Sequence, residues 1–238
     1  MRVCWIGIGG NLGNSLEVFD AVWDELAQQS DLKLGIRSGI YHTSPVGQHA
    51  GDTFSNAVFS LSTTLEPAQL LTRLQAIEIS LGRKKSVRWG SRPIDLDLLF
   101  VDQLVMDELS LTIPHRAAWY RRFVIDPLFE VAPSLRHPLV IQTITELKVR
   151  LSTRPLIIAC LDSPQPQSLD FASRFPGARF VTGDEPASIG FQLCGVPLAS
   201  IAHGVPIADL TNTPGDANQR ITDFLTSVLD EPSRVCDW

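Results

Sequence analysis

The stretch PAQLLTRLQAIEISLGRKKSVRWGSRPIDLDLLF, Pro67 to Phe100, holds a helix, a cationic loop and a strand in that order. Leu70, Leu71, Leu74, Ile77 and Leu81 recur at helical spacing behind Pro67, which the first turn of a helix tolerates, so a helix is predicted over Pro67 to Leu81. Gln75 and Glu78 lie elsewhere on its surface. Arg83, Lys84, Lys85, Arg88 and Arg92 follow with no acidic residue among them. From Ile94 the period changes to two: Ile94, Leu96 and Leu98 share one face of a strand, and Asp95 and Asp97 share the other. An amphipathic helix returning into a one-sided strand is a unit of an α+β fold.

Two carboxylates on one strand face suit a hard cation, since Mg²⁺ is usually held by one or two carboxylates plus phosphate oxygens and water. Arginine rather than lysine at positions 83, 88 and 92 favours bidentate phosphate contacts. Trp89 beside Gly90 in a charged segment suits a surface that covers a ligand. Cations and carboxylates together point to a polyphosphate. The same pattern is also compatible with a solvated loop leading into the wet face of an edge strand.

Toward the N-terminus, Val3 to Ile8 is a predicted strand, Gly9 to Asn14 a turn, and Leu16, Phe19, Val22, Trp23 and Leu26 mark a helix. The turn lacks the Walker lysine and the full dinucleotide fingerprint, so a packing turn is the better reading. Leu34 to His42 and Asn56 to Leu61 are two further strands. Between them lies a long polar loop from Thr43 to Thr53, a length that often accompanies function. At its exit Phe54 and Asn56, two residues apart, place an aromatic plane and an amide on one face, which suits a flat heterocycle as well as it suits a core Phe and a turn Asn. Beyond Phe100, Gln103 to Met106 and Leu109 to Thr112 are candidate short paired strands. His115, Arg121 and Arg122 are candidates to join a phosphate site, and Phe123 to Val131 is the last helix of this region. Strand, helix, strand, strand, helix, strand is the order of a ferredoxin-like split βαβ sandwich, with an antiparallel sheet and helices on one face.

The chain has 238 residues and a formal charge of −6. Residues 1–150 carry 15 basic and 16 acidic side chains and residues 151–238 carry 5 and 10, so most of the net charge lies in the second part. A chain of this charge lacks the basic footprint of a nucleic-acid binder. It has no apolar run of membrane-spanning length and no signal-peptide pattern. Cys4, Cys160, Cys194 and Cys236 have neither zinc-site spacing nor the density of a disulfide framework, which fits a reducing, cytoplasmic setting.

Residues 1 to about 140 resemble the 6-hydroxymethyl-7,8-dihydropterin pyrophosphokinase family. The resemblance rests on Ile8 to Gly13, Tyr41 to Gly47, Phe54 to Val58, Ile77-Glu78 with Leu81-Gly82-Arg83, Arg88 to Asp97, and Leu111 to His115. It implies that pyrophosphate passes from ATP to the pterin alcohol in folate synthesis, with Asp95 and Asp97 holding two Mg²⁺ ions. It further implies phosphate contacts from Arg83, Arg92, His115 and Arg121. Leu71, Gln75, Glu78, Lys85, Arg88, Leu98 and Thr112 would surround the nucleotide. The pterin would stack between Phe54 and Phe123, with Thr43, Pro45, Val46, Asn56 and Asp95 around it and Trp89 on a covering loop hinged at Gly82 and Gly90. Where the family usually has Ser, Thr and often Tyr and Arg, this chain has Gly10, Pro93, Phe54 and the pair Lys84-Lys85. The alternative is a binding or regulatory module that kept the fold without turnover; the intact Asp95, Asp97, Arg92 and His115 speak against it.

Residues 146–238 exceed the family's usual length. Pro155 to Leu161 and Ala178 to Thr182 are predicted strands, and Ile221, Phe224, Leu225, Val228 and Leu229 form the face of a helix started near Asp216. A brief echo, Gly195 to Ala199 and Gly204 to Ala208, is too short for a repeat array. Cys194 and His203 are expected to be core residues. The expectation is a pyrophosphokinase domain over residues 1–145 and a small α/β appendage over 146–238 that packs on it or mediates self-association.

Overall fold

Strand β1 (Arg2–Gly10) is the spine of the first sheet, antiparallel to β4 (Phe54–Thr63) on one side and to β5 (Asp95–Val101) on the other. The structure is a computed structural model, described here for residues 1–47, 51–83, 91–160, 171–181, 187–193, 206–211, 213 and 215–238. Lys84, Lys85, Arg88, Trp89, Gly90, Cys194, His203 and most of the Gly195–Ala208 echo lie outside these residues. β2 (Leu32–Arg37) and β3 (Ile40–Thr43) both pair with β4, and β12 (Ser233–Cys236) pairs with β3, giving six antiparallel strands.

Two details of this sheet differ from the sequence reading. Gly9 and Gly10 belong to β1, where they pair with Asn56 and Ser55, and the turn starts only at Asn11. The strand expected over Leu34 to His42 is broken at Ser38-Gly39. There the Ser38 hydroxyl donates to the Gly39 carbonyl and accepts the Val58 N–H, which interrupts the ladder.

Helix α1 (Ser15–Ala27) starts at Asn14, whose side chain accepts the Leu16 N–H at 3.2 Å. Helix α2 (Pro67–Ser80) starts from a capping box between Glu66 and Gln69. It ends at Gly82, whose φ of +90° lets the Arg83 N–H turn back to the Glu78 carbonyl at 2.9 Å. The apolar faces of both helices, Phe19, Val22, Leu26, Leu70, Leu74 and Ile77, pack with Ile6, Ile8, Phe59, Leu96 and Leu98 of the sheet.

Helices cover both faces, not one as the sequence order suggested. Val58, Leu99 and Phe100 point the other way, to α3 (Arg122–Val131) and α4 (Ile144–Ser152). Between these helices' partners, β6 (Met106–Asp107) and β7 (Thr112–Ile113) form a two-residue ladder close to the expected hairpin.

The second part of the chain has its own sheet. β8 (Leu156–Cys160), β9 (Ala178–Val181), β10 (Ile189–Gln192) and β11 (Ile207–Asp209) are parallel, in the order β11-β10-β8-β9. The short α5 (Phe171–Arg174) lies between β8 and β9, and α6 (Ala217–Leu229) starts at Asp216, which accepts the Gln219 N–H at 2.9 Å. Leu156, Ile158, Ile189, Phe191, Ile221, Phe224 and Val228 join the same buried cluster as Val58 and Leu99, so the core runs on from the first sheet without a break. Among the described residues no helix is long and apolar enough to cross a membrane.

Candidate active site

The sheet face that carries Asp95 and Asp97 forms the floor of a cleft of about 870 Å³. Gly7 and Gly9 project onto the same face of β1, and their missing side chains keep the floor low; a Cβ on Gly9 would stand 2.7 Å from Asn56 Oδ1. The walls are the end of α2 with Gln75, Glu78 and Arg83, the start of α3 with Arg121 and Phe123, and the β3–β4 connection with Thr43, Ser44, Val46, Phe54 and Asn56. His115 and Arg92 complete the lining.

At one end the groups are ionic. Asp95 lies between two guanidinium groups, with Arg83 Nη1 2.8 Å from Oδ1 and Arg92 Nη1 2.8 Å from Oδ2. Burial and the neighbouring Asp97 push the Asp95 carboxyl up to about 6 against the pull of these arginines. Arg83 also pairs with the buried Glu78, whose carboxylate burial pushes up to about 7. Arg92 is placed by Asn11 at the end of β1: its N–H donates to Asn11 Oδ1 at 2.9 Å, and the Asn11 N–H donates to its carbonyl at 3.0 Å. Burial holds His115 below the ordinary histidine range. Its Nδ1 accepts the Ala117 N–H at 3.2 Å, so the neutral ring carries its proton on Nε2.

At the other end the groups suit a flat polar ring. Phe54 and Phe123 both line the cleft, and Asn56 Nδ2 donates to Thr43 Oγ1 at 2.8 Å, fixing a buried amide and hydroxyl at the edge. The Arg121 guanidinium lies 5.4 Å from the centre of the Phe123 ring, joining the two ends.

Thirteen of the sequence candidates therefore converge here: Thr43, Val46, Phe54, Asn56, Gln75, Glu78, Arg83, Arg92, Asp95, Asp97, His115, Arg121 and Phe123. Others do not line the cleft. Leu98 packs into the core beneath α1 and α2, because period-two alternation turns it away from Asp97, and the half-buried Leu71 packs against the same core from α2. Thr112 Oγ1 donates to Asp107 Oδ1 at 3.1 Å on β7. Pro45 faces a separate cavity beside α6. Arg122 turns away from Arg121 and binds Asp126 through Nε at 2.6 Å and Nη2 at 3.1 Å, an internal clamp rather than a phosphate contact. Lys85, Arg88 and Trp89 are outside the described residues. Gly7, Ser44, Ile79, Leu99 and Val124 also line the cleft and were not singled out. For Gly7 the signal was available: alternate glycines inside a buried strand mark a close approach to something else.

Among the described residues no group of three or more His, Cys, Asp or Glu side chains converges as a self-sufficient metal cage. Two carboxylates on a side-chain-free floor instead match a cation shared with phosphate oxygens.

The sequence model of 7,8-dihydro-6-hydroxymethylpterin-pyrophosphokinase (HPPK) matches residues 5–133. The 2-amino-4-hydroxy-6-hydroxymethyldihydropteridine pyrophosphokinase of Haemophilus influenzae is 37% identical over 157 residues, 66% of this chain and 98% of that protein. Its namesake in Pseudomonas aeruginosa is 37% identical over 134 residues, 56% of this chain and 83% of that one. The bifunctional protein FolKE of Lactococcus lactis is 34% identical over 131 residues, and the chain spans only 38% of its length. A crystal structure of wild-type Plasmodium falciparum HPPK-DHPS shares the fold at a TM-score of 0.50 and 12% identity, over 80% of this chain and 56% of that one. With the matched residues spanning the cleft floor and its walls, the chain belongs to the 7,8-dihydro-6-hydroxymethylpterin-pyrophosphokinase family.

Proposed function

We propose that the ionic end of the cleft binds ATP and the aromatic end binds 6-hydroxymethyl-7,8-dihydropterin, so that pyrophosphate passes between them across Asp95 and Asp97. The chain is a pyrophosphokinase of folate synthesis. The observation that carries the residue assignment is the convergence of Asp95, Asp97, Arg83, Arg92, His115 and Arg121 with Thr43, Phe54, Asn56 and Phe123 on one cleft.

In the reaction the pterin hydroxyl oxygen bonds to the β-phosphorus and gives up its proton to solvent, the bond from that phosphorus to the α,β-bridging oxygen breaks, and AMP leaves with the electron pair. Catalysis is then mostly alignment and charge neutralisation. Thr43 and Asn56 orient the ring, and the two phenyl rings fix its plane. Arg83, Arg92 and Arg121 meet the phosphate oxygens, and His115 offers an Nε2–H donor. Asp95 and Asp97 are the residues that would hold Mg²⁺, two ions on this reading, and bound cations supply further neutralisation of the transferring group. Arg83 and Arg92, which pair with Asp95 here, are the guanidinium groups placed to turn to phosphate oxygens, and Asp95 would then be open to a cation.

The sheet order β3-β4-β1-β5 with two covering helices supports the ferredoxin-like reading. The unpaired thiols Cys4 and Cys236 support a cytoplasmic site of action. The division at 145/146 falls inside α4, and as a proposal it separates functions rather than cores. Self-association through the second part also stays a proposal, tested by gel filtration of the intact chain.

The deciding assay measures AMP from ATP, Mg²⁺ and the pterin with the intact chain and with Asp97→Ala. AMP that requires both the pterin and Asp97 supports the assignment; pterin-independent AMP, or full activity of the variant, overturns it.

A further inference from the structure

The β3–β4 connection is a wall with two sides. Thr43, Ser44 and Val46 face the cleft, whereas Pro45 and Gly47 face a second cavity of about 420 Å³ whose other side is α6, through Asp216, Gln219, Thr222 and Thr226. The wall assigned above to the pterin is therefore backed by residues that lie beyond the family match at 5–133.

The backing is bonded as well as adjacent. Asp230, the residue that caps the C-terminus of α6, accepts the Ser44 N–H on Oδ1 at 3.3 Å and lies within reach of the Ser44 hydroxyl. Its other oxygen, Oδ2, is buried with no hydrogen-bond partner among the described residues. Burying that oxygen costs desolvation, which the contacts of Asp230 to Ser44 have to offset. Three residues on, β12 pairs Ser233 with His42, Arg234 with Tyr41 and Cys236 with Ile40, covering the free edge of the strand that leads into Thr43. The approach is close: a Cβ on Gly39 would stand 2.7 Å from both Arg234 Nε and the Cys236 carbonyl oxygen. Arg234 then binds Glu130 at 3.2 Å, and Glu130 accepts the Tyr41 hydroxyl at 3.0 Å and the Gly39 N–H at 3.1 Å. β3 is thus fixed from two sides, and Asp230 catches the first residue after it.

We propose that Asp230 is a positioning residue for the pterin end of the cleft, holding Ser44 and with it Thr43 and Val46 in place, so that the added second part of the chain sets the affinity for the pterin. This rests on the assignment of that end to the pterin.

The test uses the full chain with Asp230→Ala, Asp230→Asn and Asp230→Glu. It reads steady-state KM for each substrate, kcat, and pterin affinity by direct titration in the presence of Mg²⁺ and a non-transferable ATP analogue. Losing one hydrogen bond to a substrate-contacting segment raises pterin KM and Kd about five- to tenfold in Asp230→Ala, with ATP KM and kcat within about twofold of wild type. Asp230→Asn keeps an acceptor for the Ser44 N–H and restores most of the affinity. Asp230→Glu keeps the charge but displaces it by a methylene, shows the same selective loss as alanine, and substitutes for it if alanine prevents folding. Equal losses for ATP and pterin in a folded variant, or no change in pterin affinity, overturn the positioning role alone. A wild-type chain that binds no pterin in the presence of that analogue overturns the assignment beneath it.

Discussion

Glu78 Oε1 accepts the backbone N–H of Leu96 at 2.7 Å, so a buried carboxylate from α2 closes the open edge of the strand that carries both site aspartates. Among the described residues β5 pairs only with β1, and on its other side Leu96 would otherwise present an unmet N–H between Asp95 and Asp97. Through Arg83 the same carboxylate reaches the cleft. Glu78→Ala is expected to cost about 1–3 kcal/mol, the penalty for stranding buried polar groups, whereas Glu78→Gln, which keeps the acceptor, costs less. Urea denaturation of both variants checks this, and equal losses would show that the charge alone matters.

Gly10 and Pro93, two positions where the chain departs from the family's usual residues, lie against each other. A Cβ on Gly10 would come within 2.4 Å of the Pro93 carbonyl oxygen. Gly10→Ser is expected to lose about 1–3 kcal/mol through overpacking. It should also lower kcat/KM, because the adjacent Asn11 sets the backbone of Arg92. A thermal melt and an AMP assay measure the two effects, and a Ser variant with wild-type melting refutes the crowding.

Trp238 is inserted beside α1, with its ring centre 5.5 Å from Phe19, 5.8 Å from Trp23 and 5.8 Å from Phe59 in edge-on contacts. Its Nε1–H donates to Asp20 Oδ1 at 3.1 Å. Trp238→Ala should destabilise the protein by about 3–5 kcal/mol, the range for truncating a large buried aromatic. Retention of wild-type stability in denaturant would mean that this packing is dispensable.

His137 is 2% exposed, lies edge-on to Phe100 at 5.4 Å, and accepts the Leu139 and Val140 N–H groups on Nδ1. Burial pushes it down to about 4 from an ordinary 6.5, so between those values the unfolded chain binds the extra proton. Stability is complete above about pH 6.5 and is lost as the pH falls toward 4, by about 2 kcal/mol at pH 5 relative to pH 7. His137→Phe should flatten this part of the stability profile. A variant with the wild-type slope would assign the acid sensitivity to other groups.

The parts of the fold that could be read from the sequence are those with long, consistent periods. α2 announces itself by helical spacing over fourteen residues and β5 by the alternation of Ile94 to Leu98, and with them came Asp95, Asp97, Arg83, Arg92 and Glu78. The cleft-lining residues Phe54, Asn56 and Phe123 followed from the family resemblance more than from any pattern. β12 was missed because Ser233, Arg234 and Val235 are all exposed, and a strand that only covers an edge needs no apolar face. The break at Ser38-Gly39 was missed because it rests on the hydrogen bonds of one buried hydroxyl and on the close approach of β12 to Gly39, neither of which leaves a periodic pattern. β10 and β11 span only four and three residues, too short for a period to register. Leu98 was placed near the nucleotide by resemblance, against its own alternation with Asp97, and alternation decided where its side chain went.

The pairing of β12 with β3 joins residues more than three quarters of the chain apart. A sheet begun at Arg2 has its edge filled only after Cys236 has been synthesised, so on the ribosome β3 waits uncovered while the parallel sheet is made. A nascent chain that has formed β1, β4 and β5 is then expected to have a cleft floor and an unfinished rim, and the exposed edge of β3 is the point at which two half-made chains would stick to each other.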